Sequence, residues 1–309
     1  MITISSPESG GQMRVSVVLD SISAGPRLRL TTIHVRVPRI IWPEIMTHRM
    51  FGRNARSSRA VPIHKMIAEV RAAPFVPWRW TGAQKGMQGT RDYYTHVKAQ
   101  GLFGDGEMTP EEAWVRASRQ ACDAAESFAA AGFSKQVANR LMEPFMYIDG
   151  LITSSQWANF FWLRDHEAAE PHFEDLAKMV SEAFSLSTPG EIPHGVWHLP
   201  YITEEDREAS TRFFGAGTEQ AGAFLRKISA ARCARISYAP FDGDASYDAE
   251  LARYDLLVKS DRVHASPLEH QATPDRRLLN GQWASPHLHG NLPGFIQARK
   301  LVPGEFVAG

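Results

Sequence analysis

Hydrophobic and polar positions alternate twice near the start of the chain. From Arg14 to Asp20 and from Leu28 to Val37 β-branched residues dominate. Ile33, Val35 and Val37 alternate with Thr32, His34 and Arg36, the two-residue period of a strand with one buried face. Pro38 ends the second strand. The period then changes. Between Ile40 and about Met50 the apolar residues Ile41, Ile45 and Met46 recur at helical spacing, which would set Glu44 and His48 on another face. A second helix is predicted from Pro62 to about Ala72, and the stretch from Pro74 to Gly106 reads as irregular.

Thr109-Pro110-Glu111-Glu112 has the form of a helix start, with Thr as N-cap, Pro at the first position and Glu three residues after the cap. That helix should run to about Ala131 and stop at Gly132. Further helices are predicted from Ser134 to Leu141, Thr153 to Arg164, Pro171 to Phe184, Glu204 to Ser229 and Ala249 to Lys259, with a break from Pro189 to Pro200. No internal repeat, Walker loop or dinucleotide-binding glycine pattern is present.

With 309 residues and 43% hydrophobic content, the chain can bury a large core. Lys+Arg and Asp+Glu are equal at 34 each, so any anion must be held by a local cluster rather than by overall charge. Cys122 and Cys233 are the only cysteines and form no paired motif, which argues against a disulfide framework or a thiolate metal site and for a cytoplasmic setting. The N-terminus reads as carrying no targeting segment, and no apolar run approaches membrane-spanning length.

The local cluster is THRMFGRNARSSR, residues 47–59, which packs four arginines, a histidine and three hydroxyls into thirteen positions. It is either a solvated basic turn or an anion cradle. Ser57, Ser58 and Arg59 offer hydroxyl, backbone and guanidinium donors suited to phosphate. Arg140, before Pro144, reads alone as an ordinary helix-end arginine. Ser155 and Asn159 would lie one turn apart on an aromatic helix ending at Arg164, and a buried helix of that kind must give its Asn and Arg partners. His264 and His270 are six apart with Pro267 between, which suits no helical metal pair. His194, His198, His287 and His289 read as loop or packing histidines, and no metal is expected.

Together these groups resemble the flavin-dependent thymidylate synthases. That family's signature is Arg-His-Arg, seven residues, then Ser followed shortly by Arg. Thr47-His48-Arg49, seven residues, Ser57 and Arg59 match it except at the first place. Arg140 before Pro144, and Asn159 five residues before Arg164, match the family's later helices. Most members begin with Ala-Arg-Val-Ser-Phe-like residues and a His-x-Thr/Ser-Pro-x-Glu-His motif that leads into the strand before the signature. Here Cys233-Ala234-Arg235-Ile236-Ser237-Tyr238 and His264 to His270 stand near the end, so the chain is similar to a circular permutant cut just after the Glu-His pair. The matched segments cover roughly Arg14 to Ser187 and Ala230 to Ala272.

The resemblance implies one α/β (α+β) domain over residues 1–309, a mixed sheet with a helical part. The signature and the nucleotide and flavin helices would fall in 14–187, and the permuted segment in 230–309. It implies a homotetramer with active sites shared between subunits, and a reaction in which methylenetetrahydrofolate gives a one-carbon unit to C5 of deoxyuridylate while FAD reduced by NADPH supplies hydride. No cysteine nucleophile is needed, in keeping with two cysteines outside every motif. By the resemblance Ser57, Ser58 and Arg59 hold the nucleotide phosphate, Arg140 and Arg164 lie near the base and sugar, and His48, Arg49, Asn159, Ser237, His264, Ser266 and Glu269 line the flavin. Nucleic acid polymers and membranes are not expected partners.

Five positions depart from the family pattern. Thr47 replaces the first arginine, Gly52 a usual serine, Ala55 a common glutamate and Ser155 an arginine of many members, while Glu44 replaces a frequent glutamine. An ionised Glu44 can only accept hydrogen bonds, so facing the base it would suit uracil N3–H or the cytosine amino group. Thymidylate synthesis, formation of a hydroxymethylated deoxyuridylate or a methylated or hydroxymethylated deoxycytidylate, and a catalytically silent flavin- or nucleotide-binding protein therefore stay open. The stretch from Gly290 to Lys300 lies beyond the matched segments. It would be a tail packed on a neighbouring subunit or an extra basic wall, Arg299 and Lys300 meeting acidic groups of a ligand.

Overall fold

The two alternating stretches become neighbouring strands of one sheet, and the residues that follow supply the rest of it. The computed structural model describes residues 2–58, 61–86, 92–99, 106–236, 243–259 and 263–306. Its strands are β1 (Ile2–Ser5), β2 (Arg14–Ser23), β3 (Arg29–Pro38), β4 (Gly52–Ala55), β5 (Val97–Ala99), β6 (Gly106–Met108), β7 (Tyr147–Ser154), β8 (Gly190–Ile192), β9 (Ala272–Pro274) and β10 (Phe295–Gln297). The helices are α1 (Trp42–Ile45), α2 (Ile63–Ala72), α3 (Pro110–Ala130), α4 (Lys135–Ala138), α5 (Ala158–Arg164), α6 (Pro171–Leu186), α7 (Glu204–Phe214), α8 (Glu219–Arg235) and α9 (Tyr247–Val258). The main sheet runs β1-β2-β3-β7-β4 with every pair antiparallel, and β8 joins β2 in parallel. The result is a mixed α/β arrangement. Among the described residues no helix is long and apolar enough to cross a membrane.

Alternation assigns each face of the sheet a covering. Val15 and Val17 of β2, Ile33, Val35 and Val37 of β3, and Ile148 and Ile152 of β7 join one core with Phe173, Leu176 and Val180 of α6. Each such side chain contributes roughly 1.5–3 kcal/mol by leaving water. On the opposite face Leu151 packs with Tyr201, Cys233 and Ile236 at the end of α8. Cys122 belongs to a separate core between α2, α3 and Met142. Leu30 packs with Ala272, Leu292 and Phe295, which ties the terminal hairpin of β9 and β10 to the sheet. Arg232 forks onto Asp206 of α7, with Nη2 to Oδ1 at 2.8 Å, and Arg235 pairs with the fully buried Glu250 of α9. Three helices are thereby locked together ahead of the segment that carries His264 to His270.

Several predicted elements differ in extent, and each difference has a local cause. The helix expected over 40–50 is a 3-10 turn at Arg39–Ile41 followed by α1, which ends at Ile45; Thr47 and His48 close tight turns onto the carbonyls of Glu44 and Ile45. The helix expected from Thr153 begins only at Ala158, because Tyr147–Ser154 is instead an interior strand paired with β3 and β4. Ser155 therefore precedes the helix that carries Asn159. The stretch from Ser134 yields α4 and a 3-10 helix through Phe145 with Pro144 inside it, and the long helix from Glu204 breaks at Gly215, where φ is +83°.

Gly150 lets the sheet accept the next element, since a Cβ there would run into the Trp42 ring. Gly150→Ala is expected to cost about 1–3 kcal/mol through overpacking, read as a lower urea midpoint.

Candidate functional site

Arg164 is the last residue of α5, and its side chain turns back onto the loop after α1. Its Nη1 donates to Glu44 Oε2 at 2.8 Å, Nε donates to His48 Nε2 at 3.1 Å, and Nη2 reaches Thr47 Oγ1 at 3.4 Å. The guanidinium also lies 4.6 Å over the Phe173 ring. Because Nε2 of His48 accepts from a cation, this imidazole is neutral with its proton on Nδ1. Burial, with Arg164 and then Arg53 adding to it, pushes its pKa down to about 4. Burial also raises the carboxyl of Glu44 above its ordinary value, with Arg164 opposing. His48 is fixed in place by Phe51, Phe160 and Phe173, with ring centroids at 5.2, 5.3 and 6.0 Å.

Beside this group opens a cleft of about 430 Å³ with an aromatic wall of Phe51, Trp157, Phe160 and Phe184 and a polar rim of His48, Arg49, Ser155 and Asn159. Arg29 also lines it, paired with Asp20 at 2.6 Å. Arg49 and Asn159 are exposed, and their side chains have no hydrogen-bond or ion-pair partner among the described residues. A second cleft, of about 450 Å³, shares Arg49 and Phe51 with the first and, apart from Met46 and Gly290, is otherwise lined by polar residues, Arg53, Glu269, Asn291, Gln297, Arg299 and Lys300. The terminal stretch thus packs on its own chain and walls this second cleft.

The arginines of residues 47–59 divide their tasks. Arg53 is spent inside the loop, donating to the carbonyls of Met46, His48 and Phe51. Arg56 pairs with Glu69 of α2 at 3.0 Å. Arg53 still borders the second cleft, but of the three only Arg49 lines both clefts and keeps its guanidinium uncommitted. Arg59 lies outside the described residues, as does Ser237.

Glu269 enters from the far end of the chain. Its Oε2 accepts from the Arg53 backbone at 3.3 Å, Oε1 pairs with Arg299, and its carbonyl accepts from Gln297 at 3.0 Å. Burial raises its carboxyl above the ordinary value against the pull of Arg299. Two departures from the family pattern gain a physical reason here. A Cβ at Gly52 would already approach Glu269 Cβ to 3.1 Å, leaving little room for a serine. Ser155 donates to the Pro293 carbonyl at 3.3 Å.

The other candidates are placed differently. His264 and Ser266 are exposed and line neither cleft. Ser58 is buried, Ser57 exposed, and Asn139 donates to the Ser58 carbonyl at 2.8 Å. Arg140, next to that asparagine, is largely exposed, with Glu143 at 4.0 Å, so it groups with the serines rather than with Arg164.

Sequence reasoning missed a buried polar chain behind the site. Ser21 Oγ lies 2.8 Å from His198 Nδ1, His198 Nε2 2.8 Å from Thr32 Oγ1, and Thr32 Oγ1 2.6 Å from Thr153 Oγ1. Thr153 Oγ1 continues to His270 Nδ1 at 2.8 Å, and His270 Nε2 to Asn54 Oδ1 at 2.6 Å. Asn54 closes the chain by donating to the Cys233 carbonyl at 2.7 Å. The signal was present as Thr32 and Thr153 on strands otherwise rich in Ile, Leu and Val.

No protein-family model matches the chain, and no curated protein matches it. Among solved structures it is similar to a UMP/dUMP methylase, PolB from Streptomyces cacaoi, bound with 5-Br UMP. The identity is 18% and the TM-score 0.38, over 55% of this chain and 87% of that one.

Proposed function

We propose that this protein transfers a one-carbon unit from methylenetetrahydrofolate to C5 of a pyrimidine deoxynucleotide, with deoxyuridylate to thymidylate as the leading reaction and FAD as cofactor. The observation that carries the reading is convergence. His48, Arg49 and Asn159, drawn from separate stretches by the family resemblance, line one aromatic-walled cleft, Arg164 is bonded to His48 beside it, and Glu269 returns from the chain's far end to the same loop. That return also supports a circular permutation of the family order: the Glu-His pair keeps its place beside β4 and β7 although the chain no longer runs from it into β3.

The residues fit a flavin. The cleft joins flat apolar walls to two uncommitted donors, Arg49 and Asn159, and shares Arg49 and Phe51 with a basic cleft suited to phosphate oxygens. When bound, a flavin reduced by NADPH would supply the hydride. The chain's own part is orientation and charge. Arg164 is a fixed cation beside the cleft and Arg49 a free one on its rim, and together they can stabilise negative charge on pyrimidine O4 or O2. Neutral His48 holds the Arg164 fork in place and adds no further positive charge. Ser57, Ser58 and Arg140 line neither cleft, and in the homotetramer implied by the family a second copy would bring such a phosphate loop to the cleft.

The test is mass spectrometry of the nucleotide after anaerobic incubation with FAD, NADPH, labelled methylenetetrahydrofolate and either deoxyuridylate or deoxycytidylate. A labelled methyl group on deoxyuridylate is the expected product. A labelled hydroxymethyl group, or product from deoxycytidylate alone, would move the assignment to a different reaction or base on the same scaffold; no product from either would leave a binding protein.

A further inference from the structure

The second cleft is built largely by residues outside every matched motif, and its charges are unbalanced. Arg49, Arg53, Arg299 and Lys300 line it against one carboxylate, Glu269. A further carboxylate stands behind that wall. Glu305, in the turn after Leu301 and with a side chain only 7% exposed, accepts from Arg299 Nε at 2.8 Å and from Lys300 Nζ at 2.6 Å. Arg299 is therefore bracketed by Glu269 and Glu305, and Lys300 is turned to Glu305. A carboxylate held between a guanidinium and an ammonium has the placement an external oxyanion would take.

We infer that this cleft is an anion subsite, formed by Arg49, Arg299 and Lys300, for the phosphate or carboxylate oxygens of a ligand whose ring occupies the neighbouring aromatic cleft, and that Glu305 is an internal competitor for it. The naming of the ligand rests on the reading above, where the anion is a nucleotide or cofactor phosphate or the glutamate end of a folate. The anion site itself does not depend on that reading. Three features of the cleft support it. Arg49 has no partner among the described residues and reaches both clefts, so it can hold the ring and its anionic end together. The buried amide of Gln297, donating to Asn291 at 2.8 Å and to the Glu269 carbonyl, fixes the wall on which Arg299 and Lys300 stand. Glu305 is tethered through a short turn, its N–H bonded to the Val302 carbonyl at 3.3 Å, so displacing it disturbs little else.

The test is calorimetric titration of the full chain with inorganic phosphate and, separately, with γ-glutamylglutamate. Glu305→Gln removes the competing charge and is expected to tighten binding several-fold, whereas Lys300→Gln is expected to weaken it about tenfold. Opposite directions in two neighbouring variants do not arise from misfolding. Phosphate binding alone assigns the subsite to a phosphate group, and dipeptide binding alone to a folate carboxylate. Absence of both, or a Glu305→Gln affinity equal to or weaker than the parent's, would overturn the inference. Because binding is read without turnover, a chain that forms no labelled nucleotide but shows both shifts would keep the subsite and lose the proposed reaction.

Discussion

Arg164→Ala is expected to lower nucleotide product formation on the order of 100-fold or more, the cost of removing one fixed donor from a preorganised site. The residue ties three groups at once, Glu44, His48 and Thr47, and its ring contact with Phe173 anchors the end of α5. Without it Glu44 keeps its burial but loses its cation, so its carboxyl rises further. His48 should move the same way. Arg164 is the second cause of its depressed pKa, so the imidazole should titrate above about 4, yet still below an ordinary histidine because burial is the first cause. The two readouts are complementary: rate measures the lost fork, and an NMR titration of His48 measures the lost charge. Arg164→Lys should restore part of the His48 shift and little of the rate, since an ammonium supplies charge without a planar fork. An Arg164→Ala variant with the parent rate would remove this residue from the reaction.

The parts of this structure that could be read from sequence are those whose cause is local. Thr109, Pro110 and Glu112 form the expected capping box, and α3 runs to Ala130 with Gly132 just beyond it. β2 and β3 follow from alternation and β-branched content, whereas β1 was not read. β7 was illegible because its pairing partners, β3 and β4, lie far away in the chain, and Asp149-Gly150 interrupts its apolar run. The site divides along the same line. His48, Arg49, Asn159 and Arg164 were legible as motif members, but the purpose of Arg53 was not. A cation that donates to three carbonyls and to the Met46 sulfur looks, in sequence, like any other member of a charged run. The companionship of Glu44 with Arg164 was equally hidden, since it depends on where α5 ends. His270 was quoted within a motif, yet its partners, Thr153 and Asn54, come from two strands at the other end of the chain.

Those partners carry the second large expected effect, acid lability. Asn54 must turn its amide nitrogen to the Cys233 carbonyl, since the reverse would set two oxygens face to face; its Oδ1 therefore accepts from His270 Nε2–H. Nδ1 of His270 then accepts from Thr153, Thr153 from Thr32, Thr32 from His198 Nε2–H, and His198 Nδ1 from Ser21. Every link carries one proton in one direction, and neither imidazole has room for a second. Burial pushes His198 down to about 3, against the pull of Asp20, and pushes His270 to about 3 with His198 adding to it. In the unfolded chain each titrates near 6.5. Above that pH neither state binds the extra proton and the folded form is not penalised. Below it only the unfolded chain binds, so each histidine removes about 1.4 kcal/mol of stability per pH unit down to about 3. From pH 6.5 to 4.5 the pair is expected to cost about 5 kcal/mol, comparable with the whole stability of a marginal domain. His48 acts in the same sense, while the raised carboxyls of Glu44 and Glu269 oppose it just above 4.5. Urea unfolding at a series of pH values between 7.5 and 4.5 should show this slope. His198→Gln should lower stability at neutral pH by about 1–3 kcal/mol, the cost of leaving a buried hydroxyl unpaired, and yet flatten the acid slope by about half. A slope unchanged in that variant would mean that the acid sensitivity arises outside the buried chain.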